Sequence, residues 1–386
     1  MPLDVTKFKL PQQIEEYRKA VAEFVLSDLE PIANQIENTV KVPKEMWPKL
    51  QQSGLLRLTM PKEYGGFGLT YSQYFPILEE VAKTHGTIRL IVHTWNWLYY
   101  YQFLKYGSAE QKKLLPKIAS GDHMVAWALT EPDTGTGLDL KMTAKRDGDS
   151  LVINGKKHLI SLAMVADTFI IFAKTDPSAG RRGFSSLAIP KGAKGFTVIP
   201  QPDTMGLRGD PHGVVAILDF KNCRVPASTL IGPEGSGLDQ ALETLDVSRL
   251  SIGVTCLGLS QRFLDLSVHY AQRRTTFGKT LAERQAVQQM IADMATDVHA
   301  LRLMTTDATL KVDRGLPCRK EAAMCKLFGI ETVRKASDKA LEIHGGLGFT
   351  RVFPIERMYR DARGPWLEEG TPTIQRSVIA REVLKS

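Results

Sequence analysis

The feature that most constrains the fold of this 386-residue chain is a double change of pattern along it. Helical spacing gives way to short β-rich runs after about residue 124 and returns after about residue 232. In the first part Ile14, Tyr17, Val21, Phe24 and Val25 fall on one helical face, and Trp47, Leu50 and Leu55 continue the pattern. In the middle, Ser150–Asn154, Thr168–Ala173, Phe184–Ile189, Phe196–Ile199 and Val214–Leu218 read as strands, separated by Pro, Gly, Asn and Asp at hairpin-like intervals. In the last part Val287, Met290, Ile291, Met294, Val298 and Leu301 repeat at three- and four-residue steps, the core stripe of a bundle helix. The expected fold is multi-domain α+β: an N-terminal α-helical domain (1–124), a middle antiparallel β-barrel domain (125–232) and a C-terminal four-helix bundle (233–386). Strands and helices do not alternate, and no G-x-G-x-x-G opens a helix after a strand, which argues against a nicotinamide-binding Rossmann domain.

Composition narrows the class further. Hydrophobic residues make up 43% and charged residues 24%, the mixture of a globular protein with ample core material. Cys223, Cys256, Cys318 and Cys325 form no C-x-x-C pair or Cys/His cluster, so neither a disulfide framework nor a zinc site is expected, and a reducing compartment fits. The apolar stretch Leu90–Leu104 is broken by His93, Thr94, Asn96 and Gln102, is too short to span a bilayer, and reads as a buried helix. Met1-Pro2-Leu3-Asp4 opens no basic-then-apolar leader, so the cytoplasm is the expected location. A net charge of +8 suits a phosphate-bearing ligand or an acidic partner. The basic residues are scattered, with doublets at Arg181-Arg182 and Arg273-Arg274 and no longer tract of the kind a nucleic-acid arm carries.

Four segments could carry chemistry. Arg357, Arg360, Asp361, Arg363, Glu368, Glu369 and Gly370 are either a solvated turn or a loop on which one carboxylate serves as a base; two adjacent carboxylates cannot both be buried and ionised unless one faces water or an arginine. Pro61–Gly68 is either a tight loop or a ligand-shaping one. Leu341–Phe349 ends a helix with three glycines: Gly345 is a C-cap, and the others hint at close approach by another backbone or a planar ligand. Tyr270–Lys279 places two arginines and a lysine at a helix end, favourable to the helix dipole whether or not they hold a phosphate.

Together these segments resemble a family. Pro61-x-Glu-Tyr-Gly-Gly-x-Gly68, Leu129-Thr-Glu-Pro132, Asn154-Gly-x-Lys-x-x-Ile-Ser161, Met205-Gly-Leu-Arg-Gly209, Leu245-Asp-x-x-Arg249, Arg274-x-x-Phe-Gly-Lys279, His344-Gly-Gly-x-Gly348 and Tyr359-Arg-Asp-Ala362 followed by Glu369-Gly-Thr371 occur in the order and spacing of the acyl-CoA dehydrogenases. The resemblance runs through essentially the whole chain. It implies the same three domains, FAD as cofactor at subunit contacts, a homotetramer, a place in fatty-acid metabolism, and α,β-dehydrogenation of an acyl-CoA with electrons passed to an electron-transferring flavoprotein. By motif position Glu369 resembles the catalytic base, with the backbone at Glu369 and Gly370 meeting the thioester carbonyl. Trp127, Ala128, Leu129, Thr130, Leu159 and Ser161 resemble the segments flanking the flavin ring, and Thr136 the hydroxyl residue between flavin and the CoA arm. Arg274, Phe277, Gln285, Glu342, Ile343, Gly345 and Gly346 resemble contacts to the FAD of a neighbouring subunit, and Thr371 and Thr373 further FAD contacts. Asp246, Arg249 and Arg381 sit where the family places residues near CoA.

This chain also departs from the family pattern. Thr136-Gly137 replaces a usual Ser-Asp, and Leu159 a usual tryptophan against the flavin. Ser248 occupies the position of an alternative catalytic glutamate, leaving Glu369 as the sole base, and Glu368 stands where an apolar neighbour is usual, a like charge that would raise the Glu369 pKa. Arg89 falls where the glutaryl-CoA dehydrogenase subfamily carries an arginine for the substrate's far carboxylate, so it either reads a dicarboxylic acyl chain or pairs with a nearby acid such as Glu79 or Glu80. Trp95, Trp97 and Tyr99–Tyr101 either narrow the acyl pocket or pack in the core. Two rivals share the fold: an enoyl-CoA reductase or carrier-protein thioester enzyme using the same base, and a DNA-binding flavoprotein, which the pI of 9.2 keeps open and the absence of a basic C-terminal tract opposes.

Overall fold

The computed structural model describes residues 3–135, 137–201, 204–209 and 215–385. Helices α1 (Ile14–Phe24), α2 (Glu30–Thr39), α3 (Met46–Ser53), α4 (Tyr71–Val81), α5 (Gly86–Trp95), α6 (Tyr101–Tyr106), α7 (Ala109–Lys112) and α8 (Leu115–Ser120) form the first part. Their starts are written locally: Thr70 and Gln73 make a reciprocal capping box on α4, as Ser108 and Gln111 do on α7. The stretch read as one buried helix is two. Asn96 ends α5, where its side-chain amide donates to the Leu55 and Val92 carbonyls and its oxygen accepts from the Leu58 N–H, so the chain turns there before α6. The Pro61–Gly68 segment is a tight loop folded on its own strand-like neighbours: a Cβ at Gly66 would lie 1.9 Å from the Met60 carbonyl oxygen, so only glycine fits.

Seven strands follow: β1 (Val125–Ala128), β2 (Thr143–Asp147), β3 (Ser150–Ser161), β4 (Thr168–Lys174), β5 (Phe184–Pro190), β6 (Phe196–Pro200) and β7 (Val215–Pro226), in the order β1-β4-β2-β3-β7-β6 with β5 paired to β4. The expected antiparallel pattern holds for β2/β3, β3/β7, β4/β5 and β6/β7, but β1 and β2 both run parallel to β4. The parallel pairing of β1 follows from its long return path: β1 leaves the sheet, and the chain comes back through β2 and β3 before β4 lies beside it, a crossover that a two-residue hairpin cannot make. Alternate side chains such as Ala126, Ala128, Ile171 and Leu187 fill one core under the sheet, while Val125, Leu129, Ile170 and Phe172 join the core of the helical part.

The last part holds α9 (Gly237–Arg273), a two-residue hairpin β8 (Thr275–Thr276) and β9 (Lys279–Thr280), α10 (Gln285–Asp313), α11 (Arg319–His344), α12 (Ile355–Asp361), α13 (Gly364–Leu367) and α14 (Pro372–Val383). The stripe on α10 is core as expected, with Val287, Met294, Val298 and Leu301 buried. The central turns of α9 are buried nearly all round because α4, α10 and α11 all pack on them. Its crossing with α11 is close: Gly253 and Gly329 face each other, and a Cβ on either would press on the partner helix. That approach brings Lys326 of α11 beneath the 368–370 loop.

Candidate active site

A cleft of about 740 Å³ opens where the sheet, α5, α9 and the 367–374 segment meet. The sheet side is Trp127, Leu129, Thr130, Leu159, Ile160 and Ser161; the deep side is Leu90, Thr94, Leu98, Tyr99 and Leu245; the remaining wall is Leu367–Thr371 and Ile374. Of the aromatic residues that follow Arg89, Tyr99 lines the cleft, whereas Trp95 and Trp97 donate their indole N–H groups to the Ile118 and Thr244 carbonyls inside the core. Asp361 fixes two of the walls to each other, accepting from the Gly86 N–H at 2.8 Å and the Leu207 N–H at 2.7 Å.

Glu369 enters this cleft on a left-handed turn, with φ 55° at Glu369 and 95° at Gly370. A glutamate there costs about 1–3 kcal/mol of backbone strain and persists only if its surroundings over-determine it. They do. The Gln375 amide donates to the carbonyls of Glu369 and Gly370, each at 3.0 Å, Arg249 Nε donates to the Glu369 carbonyl, and Lys326 Nζ donates to the carbonyls of Glu368 and Gly370. Burial pushes the Lys326 ammonium down to about 8 against the opposing pull of Glu369 and Glu368. One carboxylate oxygen is left without a partner: Glu369 Oε2 is buried and accepts no hydrogen bond, while Oε1 lies 4.0 Å from His93 Nε2.

The neighbouring carboxylate answers the question of Arg89. Its guanidinium is fully buried and grips Glu368 in a bidentate pair, with Nη1–Oε2 at 2.7 Å and Nη2–Oε1 at 2.6 Å. Arg89 therefore has an acidic partner within the chain, and that partner is neither Glu79, which pairs with Arg302, nor Glu80, which pairs with Arg18 and Lys83. Both terminal nitrogens of Arg89 are thus occupied within the chain, and Arg89 does not line the cleft. Burial alone would raise the Glu368 carboxyl, but the charge and hydrogen bonds of Arg89 outweigh it and hold it below the usual carboxylate value. Glu368 is thereby a neutralised neighbour of Glu369 rather than an open like charge.

Other expected residues divide into three groups. Trp127, Leu129, Thr130, Leu159, Ser161, Arg249, Glu369, Gly370 and Thr371 come together in the cleft. The side chain of Ala128 packs in the core on the other face of the sheet; Asp246 is tied to Arg249 and Arg319 and, like the exposed Thr373 and Arg381, lines no part of the cleft. Arg274, Phe277, Gln285, Glu342, Gly345 and Gly346 gather where α9 and α11 end and α10 begins, all exposed, with Ile343 buried among them in a small core with Ala271 and Val287. Thr136 lies outside the described residues. Sequence reading missed His93, Leu98 and Lys326 as residues in or beside the site; no motif marks them, although His93 lies one helical turn from Arg89.

The sheet side of the cleft fits a flavin ring. A planar tricycle needs an apolar face and polar groups at its edge; Leu129 and Leu159 supply the first, and the hydroxyls of Thr130 and Ser161, which make no hydrogen bond to the described residues, supply the second. Leu159 is turned outward by its φ of 57° and is half exposed, a posture that suits a ring lying against it.

Comparison with known proteins agrees with this arrangement. Three family models match successive stretches: "Acyl-CoA dehydrogenase, N-terminal domain" over residues 11–122, "middle domain" over 126–223 and "C-terminal domain" over 235–384. The acryloyl-CoA reductase (NADH) of Anaerotignum propionicum is 38% identical over 384 residues, covering 98% of this chain and 96% of its own. Butyryl-CoA dehydrogenase from Megasphaera elsdenii superposes with a TM-score of 0.91 at 28% identity, covering 98% of this chain and 99% of that one. A chain in a structure of the electron transferring flavoprotein of Acidaminococcus fermentans matches with a TM-score of 0.91 at 33% identity, over 98% and 100%.

Proposed function

Because this chain belongs to the acyl-CoA dehydrogenase family, FAD-dependent oxidoreductases acting on CH–CH bonds, we propose that it interconverts a short, uncharged acyl-CoA and its trans-2-enoyl-CoA, with Glu369 moving the α-proton. The observation that carries this reading is the Glu369 carboxylate, whose Oε2 accepts no hydrogen bond, held toward the cleft by a strained turn whose carbonyls are all engaged. FAD bound along the sheet side supplies the acceptor or donor of the β-hydride. The chain's own residues do the rest. Glu369 takes the α-proton in the oxidative direction and returns it in the reductive one. Its backbone N–H donates to no described residue and is available to a thioester carbonyl oxygen, where enolate charge develops. Leu90, Leu98, Tyr99 and Leu245 close the deep end, which favours a short chain, and the Arg89 guanidinium is already taken by Glu368 rather than open to a distal acid group.

The reductive direction is a second reading, favoured by the identity to an acryloyl-CoA reductase. The same groups serve both directions. A chain matched in an electron transferring flavoprotein structure supports such a flavoprotein as electron partner. The exposed FAD-like contacts at the ends of α9–α11 support a homotetramer in which that region completes a neighbour's cofactor site. The four buried free cysteines support a cytoplasmic location, and no helix among the described residues is long and apolar enough to cross a membrane.

The test is an anaerobic titration of the yellow holoprotein. Loss of yellow absorbance on adding butyryl-CoA, or its return when a reduced sample meets crotonyl-CoA or acryloyl-CoA, supports the reading and ranks the two directions. In Glu369→Gln the rate of either change should fall by at least about 100-fold. Full turnover in that variant would remove Glu369 from its role.

A further inference from the structure

We infer that Lys326 is a positioning residue for the thioester: by holding the Glu368 carbonyl it keeps the Glu368–Glu369 peptide turned so that the Glu369 N–H, and not the Glu368 oxygen, faces the cleft. The inference rests on the reading in which that N–H meets the thioester carbonyl, and it names the group that aims it.

In a planar trans peptide the C=O and the N–H that follows it point in opposite directions. The bond between Glu368 and Glu369 is trans, and its carbonyl accepts from Lys326 Nζ. Lys326 belongs to α11, no described residue of which lines the cleft. A carbonyl drawn toward α11 therefore sends the Glu369 N–H the other way, to the side on which Glu368, Glu369 and Gly370 line the cleft. Among the described residues nothing else donates to the Glu368 carbonyl. The other two carbonyls of the turn have further donors: that of Glu369 is held by Gln375 and Arg249, and that of Gly370 by Gln375 as well as Lys326. Removing the lysine thus frees one carbonyl, the one whose peptide carries the Glu369 N–H.

The freed peptide has a relaxed alternative. Glu368 has φ −60° and ψ 146°, and Glu369 has φ 55°. Rotating the plane between them by about 180° changes that ψ and the Glu369 φ together; it brings Glu368 into the helical region and returns Glu369 to a negative φ, relieving the strain of a left-handed glutamate. The flipped turn would present the Glu368 carbonyl oxygen, an acceptor, to the thioester oxygen, which needs a donor. The observed turn is the more strained of the two, and the hydrogen bond from Lys326 to the Glu368 carbonyl is what the flipped one forfeits. Glu368 itself stays in place during such a flip, because Arg89 pins its side chain. The residue type fits this role. A wholly buried ammonium costs more than a methionine of similar length, and here its donors go to two carbonyls of a single turn.

The test compares the wild-type holoprotein with Lys326→Met, and with Lys326→Gln should the methionine variant not accumulate. In the crystal structure of the variant the Glu368 carbonyl should face the cleft and Glu369 should have a negative φ. In isotope-edited infrared spectra, the carbonyl stretch of crotonyl-CoA labelled at its carbonyl carbon and bound to the oxidised holoprotein should lie below its solution frequency in wild type, and at least half of that shift should be lost in the variant. Glu369→Gln keeps the backbone N–H and should retain the wild-type shift, which separates the aiming of the N–H from proton transfer. With butyryl-CoA the variant's kcat should fall by about 100-fold while KM changes by less than about threefold, the pattern of a lost oxyanion donor. A lysine needed only for packing would lower stability yet leave the peptide orientation and the bound carbonyl frequency as they are in wild type; either of those results would overturn the inference. The crystal structure needs no thioester, so it decides the role of Lys326 even if neither butyryl-CoA nor crotonyl-CoA proves to be a ligand.

Discussion

At the scale of single residues, the pairing of Arg89 with Glu368 supports an uncharged acyl chain. A guanidinium without solvent exposure requires an anion, and the chain provides its own rather than waiting for one from a substrate. Arg89→Ala should therefore act first on stability: it strands the Glu368 carboxylate in the interior, and about 3–5 kcal/mol should be lost in urea unfolding. The double change Arg89→Met with Glu368→Met should recover most of it, since a well-packed apolar pair is often no worse than a buried ion pair. Glutaryl-CoA should leave the flavin colour of wild type unchanged where butyryl-CoA does not. Bleaching by glutaryl-CoA that disappears in Arg89→Ala would instead return the arginine to the substrate.

At the scale of elements, the sheet edge facing the cleft is clamped from below. Lys157 on β3 is wholly buried; its Nζ donates to the Leu129 carbonyl and to Glu131 Oε1, both at 2.9 Å, while Glu131 accepts the N–H groups of Lys141 and Met142. This ties the end of β1, with Leu129 and Thr130, to β3, with Leu159 and Ser161. Burial lowers the Lys157 ammonium to about 8 although Glu131 pulls it up. Between that value and the ordinary lysine value of about 10.4 the unfolded chain binds more protons than the folded one, so this group's contribution to stability rises with pH across the window. The Tm of wild type minus that of Lys157→Met should therefore increase from pH 8 to pH 10; a flat difference would show that the lysine keeps its ordinary affinity. The break of the apolar stretch at Asn96 belongs to the same scale. Hydropathy ran through it, but the amide found carbonyls on Leu55 and Val92, and the turn it makes puts Leu98 and Tyr99 into the cleft.

At the scale of the whole molecule, apolar side chains stand out at one end of the bundle: Phe277 is 98% exposed and Phe349 82%, and Val352, close after Phe349 in sequence, is exposed as well. Single exposed apolar residues are ordinary, but these accompany the segments proposed to reach a neighbour's cofactor. Phe277→Glu should shift sedimentation toward smaller species and weaken FAD retention together; an unchanged assembly would detach this face from the interface. The three-part order of the chain and the α10 stripe were legible in the sequence, because periodicity and turn chemistry are local properties that survive without coordinates, whereas the cleft residues Leu129, Thr130, Ser161, Glu369 and Thr371 were reached through the motifs the chain shares with its family. The partners were not. Arg89 and Glu368 lie 279 positions apart, and His93 and Ser248 lie 155 apart, so which acid neutralises the arginine and which groups surround the base depended on α5, α9, α11 and the 368–370 turn meeting in space. The charges could be read one by one along the chain, but their pairing is settled by distance and desolvation, and those exist only once the chain has folded.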